Sequence, residues 1–275
     1  MWLRRAAVTV VAGLLTTLSP PTAVAEPPTA LNPPSGPAPI WLIADMVSGR
    51  ILAAKDAYGQ HAPASTIKPL LAMVVMDQVS PDATMRATQA NTDVECTCVG
   101  IKPGAVYSAR QLLDALLMVS GNDAANALAD MVGGYQIAIQ KMNAKAAQIG
   151  AVATHAGSPS GLDGPGWETT TTAHDLGMIY RTALSYPLFG QIIHQQTAQF
   201  PDGAGGLKQI ASHDHLLPNY PGFIGGKTGF TNLAQETYVA MAQRDGKRMI
   251  AVMMYGKDDL WDQGRALLDW GFAQN

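Results

Sequence analysis

The sequence predicts an α+β fold in which one sheet is completed by hairpins from both ends of the chain, with helices inserted between them. Three observations carry this expectation: a hairpin signal near the start, a matching one near the end, and mainly helical periodicity in between. Ile40–Met46 and Ile51–Ala54 are apolar runs around Val47-Ser48-Gly49, the first hairpin. Thr66–Val79 reads as an apolar helix. Ser108-Ala109-Arg110-Gln111 is a capping box opening the helix through Leu112–Val119. Asp123–Val132 and Tyr135–Ile149 are Ala-rich helices separated by Gly133-Gly134, and Thr172 caps a further helix through Leu184. Lys227–Thr231 reads as a strand. Thr237–Ala242 and Arg248–Tyr255 flank Arg244-Asp245-Gly246-Lys247, where Asp-Gly suits a primed two-residue turn, and Asp259–Ala273 forms a terminal helix.

The 275 residues are 47% hydrophobic and 14% charged, with a formal net charge of −3. An apolar fraction of this size fills a core, and the absence of excess positive charge excludes the electrostatic footprint of a nucleic-acid binder. Arg4 and Arg5, the apolar stretch Ala6–Leu18 and the small-x-small sequence Ala23-Val24-Ala25 have the form of a secretory signal over residues 1–25. The apolar stretch is shorter than the roughly 20 residues a spanning helix needs. Cleavage after Ala25 removes two arginines and no acid, taking the charge from −3 to −5. Eight of the 18 prolines lie in the first 39 residues, so 26–39 reads as a stiff tether to a single folded domain over 40–275. The expected location is therefore extracytoplasmic, with membrane association only through an uncleaved signal. Cys96 and Cys98 sit in an oxidising compartment on this reading, but two residues apart they would close a very small ring, so their redox state stays open.

Several near-matches fail. Gly222–Thr228 is one residue short of a phosphate loop, and Gly157-Ser158-Pro159-Ser160-Gly161 has proline where a nucleophile elbow needs serine. His213 and His215 lack a third metal ligand, so neither metal nor cofactor is expected. Three short patterns survive: Ser65-Thr66-Ile67-Lys68 (S-x-x-K), Ser120-Gly121-Asn122 (S-x-N) and Lys227-Thr228-Gly229 (K-T-G). Taken singly they read as a helix cap, a helix junction and a turn into a strand. All three in this order arise by chance on the order of once in a thousand.

Chemistry explains why they belong together. A serine hydroxyl is a poor nucleophile until a neighbouring base takes its proton. Ser65 and Lys68 lie one helical turn apart, facing the same way. Lys68 serves as base only if its pKa falls, which burial and a nearby cation, Lys227, can achieve. Ser120 can relay a proton to the leaving group, and Asn122 can hold Lys68 or a substrate amide. Lys227 and the Thr228 hydroxyl can grip a carboxylate. The backbone N–H groups of Ser65 and Phe230 are the natural oxyanion donors.

With these residues the sequence resembles the penicillin-recognising serine enzymes, and most closely the low-molecular-mass penicillin-binding proteins that are D-alanyl-D-alanine carboxypeptidases. The resemblance runs from about Ile40 to Phe272. It includes Pro63-Ala64-Ser65, Ser120–Ala125, Met142-Asn143, Ser160-Gly161-Leu162-Asp163 and Gly225–Thr231. It implies an α/β/α sandwich: an antiparallel sheet covered by helices, with the active serine at the junction with a helical subdomain at about 80–165. It further implies that Ser65 attacks the bond between the two D-alanines ending a peptidoglycan stem peptide, and that β-lactams acylate the same serine. Lys68 is then the base, Ser120 and Asn122 the second wall, and Lys227, Thr228 and Gly229 the binding strand for the terminal carboxylate. Where relatives commonly carry asparagines before Leu216-Leu217, this chain has His213 and His215.

The same motifs occur in class A-type β-lactamases, which need a glutamate between S-x-N and K-T-G; only Glu168 lies there. A catalytically silent penicillin-binding module is a further alternative, and DD-endopeptidase or weak transpeptidase activity would use the same acyl-enzyme.

Overall fold

The computed structural model describes residues 32–274, so the signal read over 1–25 and the first part of the tether lie outside the described residues. Strands β1 (Ile40–Asp45) and β2 (Ile51–Lys55) form the first hairpin. A 3-10 turn at Ala64–Ile67 leads into α1 (Lys68–Gln78), followed by β3 (Thr84–Arg86), α2 (Gln89–Thr92) and β4 (Val106–Ser108). Next come α3 (Ala109–Met118), α4 (Asn122–Met131), α5 (Tyr135–Gln148), α6 (Ala173–Ala183) and α7 (Pro187–Ile193). The chain continues through β5 (Thr197–Pro201), β6 (Leu207–Ala211), β7 (Phe223–Thr231), β8 (Gln235–Arg244) and β9 (Lys247–Gly256), and ends in α8 (Trp261–Ala273).

Five strands make one antiparallel sheet in the order β2-β1-β9-β8-β7, so the two chain ends meet where β1 pairs β9. Alternation along each strand divides the core into two layers. Trp41, Ile43, Tyr238, Ala240, Ala251 and Met253 pack under Leu267 and Leu268 of α8. Leu42, Val239, Met241, Ile250 and Val252 face the opposite layer, where α1 contributes Leu70, Leu71 and Met73. The fold is therefore the three-layered α/β/α arrangement expected. Residues Lys68–Val75 of α1 are buried all round, because the helix runs through the middle of its layer, against α3, α4, α5 and α6.

Local signals set most boundaries. The capping box is formed: the Gln111 N–H donates to Ser108 Oγ (3.2 Å) and the Ser108 N–H to Gln111 Oε1 (2.9 Å). Thr172 Oγ1 accepts from the Asp175 N–H at 3.0 Å. Asp245 and Gly246 both have positive φ, 49° and 78°, as the primed turn requires. Ala38, at the end of the proline-rich stretch, is buried and exchanges two hydrogen bonds with the Gln263 amide of α8.

Three differences from expectation have physical causes. The helix through Lys68 begins as a 3-10 turn, since Pro69 has no N–H to bond the Ser65 carbonyl and the Lys68 N–H reaches that carbonyl instead. The strand carrying Lys227 starts at Phe223, past an irregularity between Phe223 and Gly225. The β5–β6 hairpin was not expected; each strand buries one residue, Phe200 and Ile210, too few for an alternating signal. Among the described residues, no helix is long and apolar enough to cross a membrane.

Candidate active site

The three motifs converge from three elements on one cleft. Ser65 sits inside the 3-10 turn and is not a helix cap; Pro63 and Ile67 hold the cap positions of the turn and of α1. That turn is pinned from three sides: Thr66 Oγ1 donates to the Pro63 carbonyl at 2.6 Å, Thr237 Oγ1 of β8 to the same carbonyl at 2.9 Å, and the Tyr180 hydroxyl of α6 to the Thr66 carbonyl at 3.0 Å. Ala64 is held at φ 49°, a conformation that L-residues adopt at a cost and that concentrates at functional sites. Ser120, in the junction between α3 and α4, is likewise held at φ 62°.

Lys68 is fully buried, and its Nζ stands 2.6 Å from Ser65 Oγ, 2.8 Å from Asn122 Oδ1 and 2.7 Å from the Ser160 carbonyl. Two of these neighbours can only accept. A neutral amine has two N–H groups, which Asn122 and Ser160 occupy, leaving its lone pair toward the Ser65 hydroxyl. Burial, and then the cation at Lys227, hold the Lys68 pKa well below the ordinary lysine value, against an opposing pull from Asp123.

Lys227, also buried, donates to Ser120 Oγ at 2.9 Å and to the Thr228 carbonyl at 2.6 Å. Burial draws its pKa down to about 7, with Asp214 acting in the opposite direction. The cleft has a volume of about 360 Å³, and Ser65, Ser120, Asn122, Thr228, Gly229 and Phe230 line it. Lys68 and Lys227 lie behind the two serines rather than on its surface. Phe230 stands at the mouth, 55% exposed.

Asn122 also ties the opposite wall in place. Its Nδ2 donates to the Glu95 carbonyl and its backbone N–H to the Thr97 carbonyl, both at 2.7 Å. Cys96 and Cys98 form a disulfide in this wall, with Cα atoms 4.9 Å apart. Asp123 fixes the next stretch: its carboxylate accepts from the N–H groups of Val99 (3.0 Å), Gly100 (2.7 Å) and Ile101 (3.0 Å). Truncation of a buried carboxylate with three such donors orphans all of them. Asp123→Ala is therefore expected to cost about 3 kcal/mol or more and to lower Tm by on the order of 10 °C, as thermal unfolding followed by circular dichroism will show.

The residues given catalytic or binding roles from the sequence, Ser65, Lys68, Ser120, Asn122, Lys227, Thr228, Gly229 and Phe230, meet here. Sequence reasoning missed the Ser160, Glu95 and Thr97 carbonyls, which carry no side-chain signature, although Ser160-Gly161 was among the resembling segments. His213 lines the cleft, its pKa lowered by burial, Lys227 and His215. His215 instead stacks on Trp261 with ring centroids 4.7 Å apart. Glu168 is exposed and accepts from the Gly166 N–H; the acidic residues on the cleft are Glu95 and Glu236.

Comparison with known proteins agrees with this geometry. Residues 28–258 match the D-alanyl-D-alanine carboxypeptidase family. The chain is 51% identical over 255 residues to the D-alanyl-D-alanine carboxypeptidase DacB2 of Mycobacterium tuberculosis, covering 91% of this chain and 87% of that protein. It is 30% identical to DacD of Salmonella typhimurium, over 92% of this chain and 67% of that one. The crystal structure of a D-alanyl-D-alanine carboxypeptidase from M. tuberculosis superimposes with a TM-score of 0.88 at 51% identity, covering 92% and 97% of the two chains. The Streptomyces K15 DD-transpeptidase does so with 0.82 at 28% identity, covering 89% and 100%. The chain belongs to the D-alanyl-D-alanine carboxypeptidase family.

Proposed function

We propose that this chain is an exported serine carboxypeptidase that removes the terminal D-alanine from peptidoglycan stem peptides through an acyl-enzyme on Ser65. The observation that carries the reading is the Lys68 amine 2.6 Å from Ser65 Oγ, with its other two neighbours both acceptors. Lys68 takes the hydroxyl proton as Oγ attacks the carbonyl carbon of the penultimate D-alanine. The Ser65 and Phe230 N–H groups receive the developing oxyanion. The C–N bond then breaks as the proton that Lys68 took from Ser65 is passed through the Ser120 hydroxyl to the leaving amine, which leaves Lys68 neutral again and Lys227, bonded to Ser120 Oγ, still charged. Water, activated by Lys68, hydrolyses the ester and regenerates Ser65. Lys227 with Thr228 meets the terminal carboxylate, which sets the substrate as a peptide with a free C-terminus. A β-lactam places its own carboxylate and carbonyl on the same groups and acylates Ser65.

The two lysines predict the pH dependence. Lys68 must be neutral, so activity rises with pH through its lowered pKa. Lys227 must be charged, so kcat/KM falls again as pH rises through about 7. The expected profile is a bell whose limbs belong to the coupled pair. In kcat the alkaline limb moves upward, because a bound carboxylate holds the proton on Lys227; initial rates across pH 5–10 check both.

The deciding experiment is release of D-alanine from diacetyl-L-Lys-D-Ala-D-Ala, with Ser65→Ala as control, alongside mass spectrometry after benzylpenicillin. Release that is lost in Ser65→Ala, together with a long-lived penicilloyl adduct, is the expected result. Rapid turnover of benzylpenicillin would instead assign a β-lactamase, and binding without release a silent module. The exposed position of Glu168 argues against the former.

A further inference from the structure

The loop that supplies the Ser160 carbonyl and the strand that supplies the Phe230 N–H reach Ser65 from different sides, and each packs on the nucleophile turn. Gly161, at φ 86°, lies flush against that turn; a Cβ there would stand 2.0 Å from the Ala64 carbonyl oxygen. Buried Ser158 braces the loop from within, its hydroxyl donating to the Leu162 carbonyl at 2.6 Å and accepting from the Gly161 N–H at 3.0 Å. β7 meets the same turn at Gly229. Loop and strand are also joined to each other: the Thr231 hydroxyl, at the end of β7, donates to Asp163 Oδ2 at 2.9 Å. The same Thr231 oxygen accepts from the Ala234 N–H at 3.0 Å, and Ala234 packs with Ala62 and Ala64. The contacts close a circuit around Ser65, from Ala64 to Gly161, through Asp163 to Thr231, and through Ala234 back to Ala64.

We propose that Asp163 is a positioning residue of the active site, its side chain latching the Ser160 loop to the end of β7 through the Thr231 hydroxyl. The proposal rests on the reading of Ser65 as nucleophile and Lys68 as its base. Thr231 directly follows Phe230, whose N–H receives the oxyanion, and Asp163 belongs to the same short loop as the Ser160 carbonyl, 2.7 Å from Lys68 Nζ. The latch therefore ties the acceptor of the base to the oxyanion donor and fixes their spacing on either side of Ser65. Without it, loop and strand are each held to the turn but not to one another. Misplacement by about 1 Å costs a catalytic arrangement on the order of a hundredfold in rate, so a smaller drift is already measurable. Lys227 and Thr228 lie further back along β7, and their grip on the carboxylate does not depend on the latch. The role needs an acceptor at residue 163 and a hydroxyl at 231; it does not need the negative charge.

Asp163→Ala is expected to lower kcat for D-alanine release, and the limiting rate of acylation by benzylpenicillin, by about three- to tenfold. KM stays within about twofold, and the melting temperature falls by about 2 to 4 °C. Asp163→Asn keeps an oxygen for the Thr231 hydroxyl and Thr231→Ser keeps the hydroxyl, so both are expected to restore the rate. Thr231→Val removes the donor from the other side. Combined with Asp163→Ala, it is expected to be no slower than the slower single variant, as for two partners in one bond. Hydrogen exchange followed by mass spectrometry reads the latch without chemistry. Peptides over 158–163 are expected to exchange faster in Asp163→Ala and at the wild-type rate in Asp163→Asn. A wild type that neither releases D-alanine nor takes up penicillin would overturn the assignment of Ser65, while the exchange measurement still tests the latch. Superimposable rates and exchange overturn the proposal. So does a loss that Asp163→Asn shares, which would place the effect in the charge. A loss carried in KM, or losses that add in the double variant, would likewise overturn it.

Discussion

Lys68→Met is expected to slow D-alanine release and acylation by benzylpenicillin by about 10³- to 10⁴-fold while leaving a folded protein. The substitution nearly preserves the volume of a fully buried side chain but deletes the amine nitrogen 2.6 Å from Ser65 Oγ. Asn122 Oδ1 and the Ser160 carbonyl lose a donor, a cost set against the relief of an amine that burial already disfavours in its charged form. Stability then reports the protonation state independently of catalysis. Because the folded-state pKa of Lys68 lies well below its unfolded value, the unfolded chain binds the extra proton between those two values, and folding stability rises with pH across that window. The variant lacks this contribution. Its melting temperature is therefore expected to exceed the wild type most at the acid end of the window and to lose that advantage as pH approaches about 10. A Lys68→Met protein that still acylates within tenfold of the wild-type rate would assign the base elsewhere. A melting difference that does not vary with pH would show that Lys68 stays protonated in the fold.

The parts of this site that the sequence displays are those specified by side-chain type at fixed spacing. Ser65 and Lys68 are brought together by one turn of chain, so S-x-x-K is readable before any tertiary structure is known. Ser120 and Asn122 are readable because a helix stop and a helix start are local events, and the Ser108 capping box and the Asp245-Gly246 turn are legible for the same reason. The two sheet-forming hairpins announce themselves by apolar runs that must bury both faces. What remains hidden is whatever depends on distant backbone. The Ser160 carbonyl belongs to the Lys68 site because the segment from 158 to 162 folds against α1, and no residue identity encodes a carbonyl's direction. Asp214 lies between two histidines in a stretch that reads as polar loop; its burial comes from Tyr238 and the Gly226 strand, which are supplied by β7 and β8. Spacing alone leaves the Cys96–Cys98 bond open; it closes in the stretch whose Glu95 and Thr97 carbonyls accept from Asn122, a partner 25 or more residues along the chain.

Gly229→Ala is expected to cut kcat by about 10² to 10³ with a smaller change in KM. Gly229 is where β7 comes closest to the turn that carries the nucleophile. A Cβ there would stand 2.6 Å from the Ser65 backbone nitrogen, 3.0 Å from that of Thr66 and 2.7 Å from Thr237 Oγ1. None of these can yield cheaply. The two nitrogens belong to the turn already fixed by Thr66, Thr237 and Tyr180, and the Thr237 hydroxyl is one of the bonds that fixes it. The methyl group must therefore separate strand from turn, and the Ser65 and Phe230 N–H groups lie on opposite sides of that seam. An oxyanion bound by both forms only as the tetrahedral intermediate develops, so its loss falls on the chemical step rather than on substrate binding. Thr228 and Lys227, one and two residues upstream, still meet the carboxylate, which keeps KM near its wild-type value. Overpacking of this kind costs about 1 to 3 kcal/mol in stability, so cooperative unfolding at a reduced melting temperature accompanies the kinetic loss. Presteady-state acylation by a chromogenic cephalosporin isolates the step. A Gly229→Ala protein that acylates normally but binds peptide poorly would show that the close approach serves the carboxylate site alone, and would remove Phe230 from the oxyanion pair.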